Sequence, residues 1–306
     1  MHEQTLIFGS DKHLVGTVTL PAQAKPGHAG TMALLTNAGV IPRIGPHRLN
    51  VKLARRFAKL GIATLRFDLS GLGDSRRSSS QRSTVDQFTF DTRCAMDLAQ
   101  AKFGAERFFA VGFCSGGDVA HVTALEDERL RAIVMWDSYV YPTHEAKLRG
   151  LLHRLRCNTP GALVQKALKR LTGGGARAAS GAPDAQPTLG PTIFGRSTMP
   201  PRDQFGQRIR TLVDGGVELL FLYSGGEPLW YNYERQFGDM FGEYGFVERV
   251  RYEYLPRSDH TFIQPHAQAT LIERVEAWLD TRALAAMQAA RTGNATANSA
   301  PSLMVA

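Results

Sequence analysis

Short apolar runs and longer amphipathic segments alternate along most of the chain. Apolar runs bounded by polar residues or glycine are typical of buried strands. The predicted strands are Thr5–Ser10, Leu14–Leu20, Thr31–Thr36, Ile62–Phe67, Arg107–Gly112, Ala132–Asp137, Val217–Tyr223 and Val250–Leu255. The segments predicted as helices are Leu49–Leu60, Val85–Lys102, Gly116–Leu125, Tyr231–Phe241 and Ala267–Leu284. After an N-terminal pair of strands, this alternation predicts an α/β fold, with a mostly parallel sheet covered by helices on both faces.

The alternation is interrupted between the sixth and seventh predicted strands. Residues 138–216 contain two amphipathic segments, followed by a stretch rich in glycine, alanine, serine and proline. We expect this insertion to lie over the strand ends as a helical lid, with a flexible segment at 172–201. Residues 1–137 and 217–290 would then form the core, and the small, polar tail at 291–306 is predicted to be disordered.

The composition is that of a soluble globular protein, since 43% of the 306 residues are hydrophobic and 21% are charged. No run approaches the roughly 18 consecutive apolar residues of a membrane-spanning helix. The segment Met1–Thr5 lacks the pattern of a secretory signal. Three cysteines, Cys94, Cys114 and Cys157, are too few for a disulfide framework. We therefore expect a cytoplasmic protein with reduced thiols and no transmembrane segment.

The net charge of +8 comes from one part of the chain. Between residues 146 and 183 there are eight lysines and arginines and no acidic residue, so the rest of the chain is neutral overall. A nucleic-acid-binding protein is expected to be basic more widely. A local patch favours an acidic partner or an anionic ligand group, with a solvated helix face as the simpler interpretation. The patch residues are Lys147, Arg149, Arg154, Arg156, Lys166, Lys169, Arg170 and Arg177.

A tight strand–helix turn is predicted within Arg107–Gly117, whose sequence is RFFAVGFCSGG. In a nucleophile elbow, the residues two before and two after the nucleophile must be small because the turn crowds them. Cys114 meets this requirement, since Gly112 and Gly116 flank it. Ser115, the alternative nucleophile, would place a phenylalanine at one of the crowded positions. A buried structural cysteine in a glycine-rich turn is the remaining interpretation.

The predicted position of Cys114 suits a reactive thiol. A cysteine at a helix N-terminus is stabilised as the thiolate by the helix dipole and the free N–H groups. The N–H of Ser115 would form half of an oxyanion hole. The other half is expected from the small-residue loop Asn37–Val40, with Ala38 or Gly39 as the donor. A plain turn is the alternative interpretation of this loop.

A general base is expected after the last predicted strand. His260 lies in the loop between that strand and the last long helix, at the position from which a base reaches the elbow. His47 is the alternative, although it opens a helix and is more suited to ordering its own loop. A surface histidine without a catalytic role is the simpler interpretation of His260.

Two carboxylates are candidates for the acid that orients the base. Glu227 follows the strand that precedes the histidine strand, at the expected offset. Asp137 ends the strand before that one and is the alternative acid, with Asp259 a more distant third. A Cys–His pair can also act without a strong third member.

With these residues in place, the chain resembles the α/β-hydrolase family from about Thr5 to Leu284, apart from the insertion. The loop Arg66–Ser75, RFDLSGLGDS, is similar to the family's Asp-x-x-Gly-x-Gly-x-Ser loop. Together with Arg43–Arg48, RIGPHR, it resembles the hydrolases associated with exosortase gene clusters. Most family members have serine where this chain has Cys114. In this respect it is similar to dienelactone hydrolases, polyhydroxyalkanoate synthases and assembly-line acyl shuttles, although it is short for a polymer synthase.

The elbow, the histidine and an available acid predict acyl transfer through a Cys114 thioester, as a thioesterase, esterase or acyltransferase. The expected partners are a small-molecule acyl substrate and an acidic carrier protein or coenzyme A thioester at the basic patch. No motif for a metal or an organic cofactor is present, and we expect none. The alternatives are a carboxylic-ester or lactone hydrolase, a non-catalytic binding protein that keeps the fold, and membrane-surface docking by the basic segment.

Overall fold

The computed structural model describes residues 1–157, 199–226 and 228–285. These residues form an eight-stranded sheet with the order β1-β2-β4-β3-β5-β6-β7-β8. Strand β2 pairs antiparallel with β1 and β4, and the remaining neighbours are parallel. The strands are β1 His2–Phe8, β2 Leu14–Leu20, β3 Thr31–Leu35, β4 Ala63–Asp68, β5 Arg107–Phe113, β6 Leu130–Trp136, β7 Glu218–Ser224 and β8 Arg251–Leu255.

Seven α-helices are present in the described residues. They are α1 Leu49–Lys59, α2 Thr84–Phe103, α3 Ser115–Glu126, α4 His144–Cys157, α5 Arg202–Asp214, α6 Gln236–Phe241 and α7 Pro265–Trp278. The last helix continues into a π-helical turn at Leu279–Ala283. Single 3₁₀ turns lie at Pro26–His28, Pro46–Arg48, Gly242–Tyr244 and Val247–Arg249.

Helices cover both faces of the sheet. Strand β3 is buried at every position, and successive side chains point to opposite faces. Met32 and Leu34 pack in the cluster that includes α2, α3 and α5, whereas Ala33 and Leu35 pack in the cluster that includes α1 and α7. The continuous apolar runs of the sequence are therefore strands buried on both sides. This confirms the predicted α/β-hydrolase fold class.

The helix predicted at Tyr231–Phe241 is shorter in the structure, because it begins only at Gln236. The aromatic ring of Tyr231 stacks on Tyr223 with 4.1 Å between ring centroids. The Asn232 N–H donates to the side-chain oxygen of Gln236 at 3.0 Å, and its side-chain amide donates to the carbonyl of Pro228 at 2.9 Å. These side-chain bonds fix an irregular segment ahead of the helix.

Helix α5 lies within residues 138–216, the insertion expected to be a helical lid, but after the two amphipathic segments on which that prediction depends. It packs Phe205, Ile209, Leu212 and Val213 into the core. Their spacing is the i, i+4, i+7, i+8 pattern of an amphipathic helix, so the signal for this further helix is present in the sequence.

Much of the expected lid, residues 158–198, lies outside the described residues, as does the tail from 286 onward. The end of the segment expected to be flexible is described and packed: Pro200 is buried, and its carbonyl accepts a hydrogen bond from the Tyr141 hydroxyl at 2.8 Å. Within the described ranges, the helices are all too short or too polar to cross a bilayer.

Candidate active site

Cys114 occupies a sharp turn between β5 and α3. Its backbone has φ 51° and ψ −122°, a left-handed conformation that is unfavourable for a residue with a side chain. A Cβ at Gly112 would overlap the backbone of Gly116, and one at Gly116 would lie 2.7 Å from the carbonyl oxygen of Asn37. The glycines on both sides of Cys114 are therefore required by the turn. The side chain of Phe113, one position before Cys114, is buried among aromatic rings from neighbouring strands and loops.

Three side chains meet at the carboxyl edge of the sheet. The Nδ1–H of His260 donates to Oδ2 of Asp137 at 2.9 Å, and the Cys114 side chain lies near enough to the imidazole to raise its pKa. The Phe113 ring packs against the imidazole with 4.5 Å between centroids. Both His260 and Asp137 are largely buried. The three residues come from the ends of β5 and β6 and from the loop after β8.

Asp137 is held in place by β7. It has a left-handed φ of 47° directly after β6. Its Oδ1 accepts the backbone N–H of Ser224 at 2.7 Å, and its Oδ2 accepts the Ser224 hydroxyl at 2.6 Å. These two hydrogen bonds fix the orientation of the carboxylate toward His260. Ser224 was not singled out in the sequence, although a polar residue at the carboxyl end of a parallel strand was the available signal.

The protonation of His260 is set by opposing effects. Burial lowers the pKa of the imidazole, but the hydrogen bond to Asp137 and the interactions with Cys114 outweigh burial and raise the pKa to about 10. This balance favours the imidazolium form of His260 at neutral pH.

The other candidate residues have different surroundings. The Asp259 carboxylate accepts the backbone N–H groups of Thr261 and Ile263 at 2.9 and 3.0 Å, so it orders the loop that carries His260. Burial raises its pKa, but these hydrogen bonds outweigh that effect and lower it. His47 has Nε2 3.4 Å from the Thr261 hydroxyl. Glu227, the first choice of acid from the sequence, lies outside the described residues.

The expected oxyanion loop contacts the start of α3. The Gly39 N–H donates to the Ser115 hydroxyl at 2.8 Å, and Ser115 is buried. In this structure, the Gly39 donor is therefore directed at Ser115 rather than at an open site. The Ala38 carbonyl accepts the Ile41 N–H at 2.9 Å and closes the loop on itself.

A cleft of about 660 Å³ lies between α4 and the segment after β7. One of its lining residues is Gly225, and the next residue, Gly226, packs closely on the backbone of His260. The cleft thus adjoins the loop that carries the histidine. The side chains that line it include Arg149, His153, Arg156, Tyr231, Asn232 and Tyr254.

Part of the basic patch faces solvent on α4. Lys147, Arg154 and Arg156 are exposed on this helix. Arg149 is paired with Glu145 at 2.7 Å, and its guanidinium lies 5.2 Å from the Tyr233 ring centroid. The other predicted patch residues, Lys166, Lys169, Arg170 and Arg177, lie outside the described residues. Within the described chain, no group of three or more His, Cys, Asp or Glu side chains is arranged to hold a metal ion.

The comparisons with known proteins agree with this architecture. The family model described as "alpha/beta hydrolase fold" matches residues 43–155, a range that contains Cys114. This match and the order of strands in the sheet show the α/β-hydrolase fold. Among curated proteins, none matches the sequence significantly.

Solved structures share the fold at low sequence identity. The esterase domain of a Rhodothermus marinus protein is 16% identical, with a TM-score of 0.53, over 92% of this chain and 100% of that one. Dienelactone hydrolase from Anabaena variabilis is 16% identical, with a TM-score of 0.53, over 92% and 98% of the two chains. An esterase from Pyrococcus furiosus is 15% identical, with a TM-score of 0.55, over 92% of each chain.

Proposed function

We propose that this protein is an acyl-transfer enzyme that works through a thioester on Cys114. His260 is the general base and acid, and Asp137 is the carboxylate that orients it. The observation that carries this proposal is the buried His260–Asp137 hydrogen bond beside the strained turn that carries Cys114. A cysteine on a strained turn, with a polarised histidine against it, is the arrangement that nucleophilic catalysis requires.

The chemistry proceeds in two half-reactions. The Cys114 thiolate attacks the carbonyl carbon of the acyl donor, a C–S bond forms, and the carbonyl electron pair moves to oxygen. The resulting oxyanion is stabilised by the Ser115 N–H and by the Ala38 N–H of the loop, because the Gly39 N–H is already bonded to the Ser115 hydroxyl. The tetrahedral intermediate then expels the leaving thiol or alcohol, which takes the proton of the His260 imidazolium.

Deacylation runs through the same residues. Neutral His260 removes a proton from water or from an acceptor amine, alcohol or thiol as this nucleophile attacks the Cys114 thioester. Collapse of the second intermediate breaks the C–S bond and restores the thiolate–imidazolium pair. A thioester reacts with each of these nucleophiles, which suits an enzyme that passes an acyl group on.

We prefer Asp137 to Glu227 as the acid, and the position of its carboxylate beside His260 supports this choice. Its Oδ2 lies 2.9 Å from Nδ1 of His260, and two hydrogen bonds from Ser224 hold it there. An orienting carboxylate must keep the imidazole in one tautomer and stabilise its charged form.

The proposed acyl donor is a thioester with an anionic carrier, either coenzyme A or an acidic carrier protein. The support is the cleft beside the His260 loop together with the exposed basic residues Lys147, Arg154 and Arg156 on its helix. Phosphate groups and acidic protein surfaces are attracted by such clusters. A second candidate, hydrolysis of a small ester or lactone, is favoured by the likeness to esterases and to dienelactone hydrolase.

Intact-mass spectrometry after incubation with acyl thioesters of varied chain length tests the proposal. The wild-type protein should gain the mass of one acyl group, and Cys114→Ala should gain none. Cys94→Ala is the matched control, because burial raises the pKa of the Cys94 thiol to about 11 and makes it a poor nucleophile. Loading that persists in Cys114→Ala would remove Cys114 from the mechanism. Comparison with small esters and lactones under the same conditions separates the two candidate substrate classes.

A further inference from the structure

Two loops that the sequence marks by motif meet at one buried carboxylate. Asp68 ends β4 and is fully buried. It belongs to the Arg66–Ser75 loop, and Arg43 belongs to the second motif, which follows the oxyanion loop. We call Asn37, Arg43, Asp68 and Asp74 the Asp68 clasp.

The Asp68 carboxylate accepts hydrogen bonds from both motif loops. Its Oδ1 accepts the Asn37 side-chain amide at 2.9 Å and the Arg43 backbone N–H at 2.6 Å. Its Oδ2 accepts the Arg43 guanidinium and the backbone N–H of Asp74, the latter at 3.1 Å. A Cβ at Gly73 would overlap this carboxylate, so glycine there is what allows the loop to close on Asp68.

Arg43 is the cation of the clasp. Its guanidinium pairs with the buried Asp68 and also with the exposed Asp74 at 2.7 Å. A buried carboxylate needs a compensating charge, and the planar guanidinium can reach two carboxylates at once where an ammonium would act as a point charge.

The Asp68 clasp also fixes the expected oxyanion loop, residues 37–41. The Asn37 side-chain oxygen accepts the Leu69 N–H at 2.6 Å, and its amide donates to the Ile41 carbonyl at 3.0 Å. Between Asn37 and Ile41 lie Ala38, the proposed oxyanion donor, and Gly39. Gly39 is tied in turn to Ser115, next to the nucleophile.

We infer that Arg43 is a positioning residue for catalysis, which holds the loop 37–41 through Asp68 and Asn37 so that the Ala38 N–H is in position to donate to the oxyanion. This inference rests on the proposed function, because it assumes acylation of Cys114. Arg43 itself does not touch the reacting atoms. Its loss would leave Asp68 as an uncompensated buried carboxylate, which would draw the neighbouring amides of the loop toward itself.

Two reactions of Cys114 distinguish the effect of the loop 37–41 from the reactivity of the thiol itself. Alkylation by iodoacetamide needs the thiolate but no oxyanion hole, whereas acylation by p-nitrophenyl acetate needs both. In Arg43→Gln, acylation should fall about 10²-fold, the effect of losing an oxyanion donor. The alkylation rate at Cys114, followed by peptide mapping, should stay within about twofold of wild type, as expected if the thiolate–histidine pair is intact. Arg55→Gln, which breaks the exposed pair with Glu3, is the matched control and should leave both rates unchanged.

The outcomes distinguish this inference from the proposed function. If wild-type Cys114 neither alkylates faster than a free thiol nor acylates, the proposed function fails. If the wild-type protein reacts and Arg43→Gln acylates at the same rate, the positioning role of Arg43 is overturned. An equal loss of both rates also overturns it, because Arg43 would then support the fold as a whole. If Arg43→Gln does not fold, Arg43→Lys is used instead. It keeps the positive charge but lacks the planar guanidinium that reaches both carboxylates. Undiminished acylation in Arg43→Lys would overturn the inference.

Discussion

The Nδ1 atom of His260 lies 2.9 Å from Oδ2 of Asp137, a residue 123 positions earlier in the chain. Strand β7 runs between the two in sequence, and Ser224 at its end donates two hydrogen bonds to the same carboxylate. Asp137 follows β6, one strand nearer to the elbow than β7, the strand that Glu227 follows.

The choice of nucleophile is tested by a pair of neighbouring variants. Ser115→Ala should still load an acyl group, because its backbone N–H remains, although losing the hydroxyl that receives Gly39 should slow acylation. Cys114→Ala should load nothing and keep its fold, since the turn tolerates a small side chain. Mass spectrometry and circular dichroism measure the two properties. Loading by Cys114→Ala together with none by Ser115→Ala would reverse the assignment.

The choice of acid is tested by comparing three carboxylates. Asp137→Asn should slow acylation by about 10²- to 10⁴-fold, because the imidazole loses its orienting charge. Asp259→Asn is the neighbouring control and should change the rate little, since that carboxylate bonds its own loop. Pre-steady-state acylation rates give the comparison. A larger loss in Glu227→Gln than in Asp137→Asn would transfer the role to Glu227.

The raised pKa of His260 predicts a pH-dependent contribution to stability. Its pKa is about 10 in the folded protein against 6.5 for an ordinary histidine, so the folded state holds this proton more tightly. The stabilisation is fully present below about pH 6.5 and is lost as the pH rises toward 10. The difference in free energy of unfolding between wild type and His260→Gln should therefore shrink across that range. Urea unfolding at several pH values measures it, and a constant difference would contradict the shift.

The elbow predicts a strong effect of a single methyl group. Gly112→Ala should destabilise the protein by about 1–3 kcal/mol or more and suppress alkylation of Cys114, because the new Cβ overlaps the Gly116 backbone. Gly238→Ala is the matched control: no atom lies within 4 Å of a Cβ there, and the residue is helical. That change should stabilise the protein by about 0.5–1 kcal/mol. Denaturant unfolding measures the change in stability for each variant. Equal changes for Gly112→Ala and Gly238→Ala would contradict the crowding of the turn at Gly112.

The basic residues of α4 predict salt-dependent recognition. Reversing Lys147, Arg154 and Arg156 to glutamate should raise KM for a carrier-bound acyl thioester and barely alter turnover of a small neutral one. Added salt should weaken the wild-type reaction with the carrier, since exposed charges are screened over about 8 Å at physiological ionic strength.

The matched control reverses Lys59 and Lys102, exposed residues at the ends of α1 and α2. An unchanged KM for the carrier-bound thioester in the α4 variant would indicate that the basic residues of α4 form a solvated helix face. Equal damage with both substrates would instead give these residues a role in folding.

The sequence by itself determined the strands, the fold class and the elbow. Continuous apolar runs read as strands because a parallel sheet covered on both faces buries every position, as in β3. The two glycines around Cys114 were informative because the tight turn excludes a Cβ at both positions. These are local constraints, so they leave a trace in the order of residues.

Only the tertiary structure decided that Asp137 meets His260 and that the two motif loops meet at Asp68. Asp137 and Glu227 both follow strands that end at the same edge, and their spacing along the chain says nothing about which of them lies nearer to the imidazole. Likewise, Arg43 and Asp68 are separated by a helix and a strand, and their pairing arises only when β3 and β4 lie side by side. Hydrogen bonds between strand ends depend on distances in space, and those are set by the order of strands in the sheet.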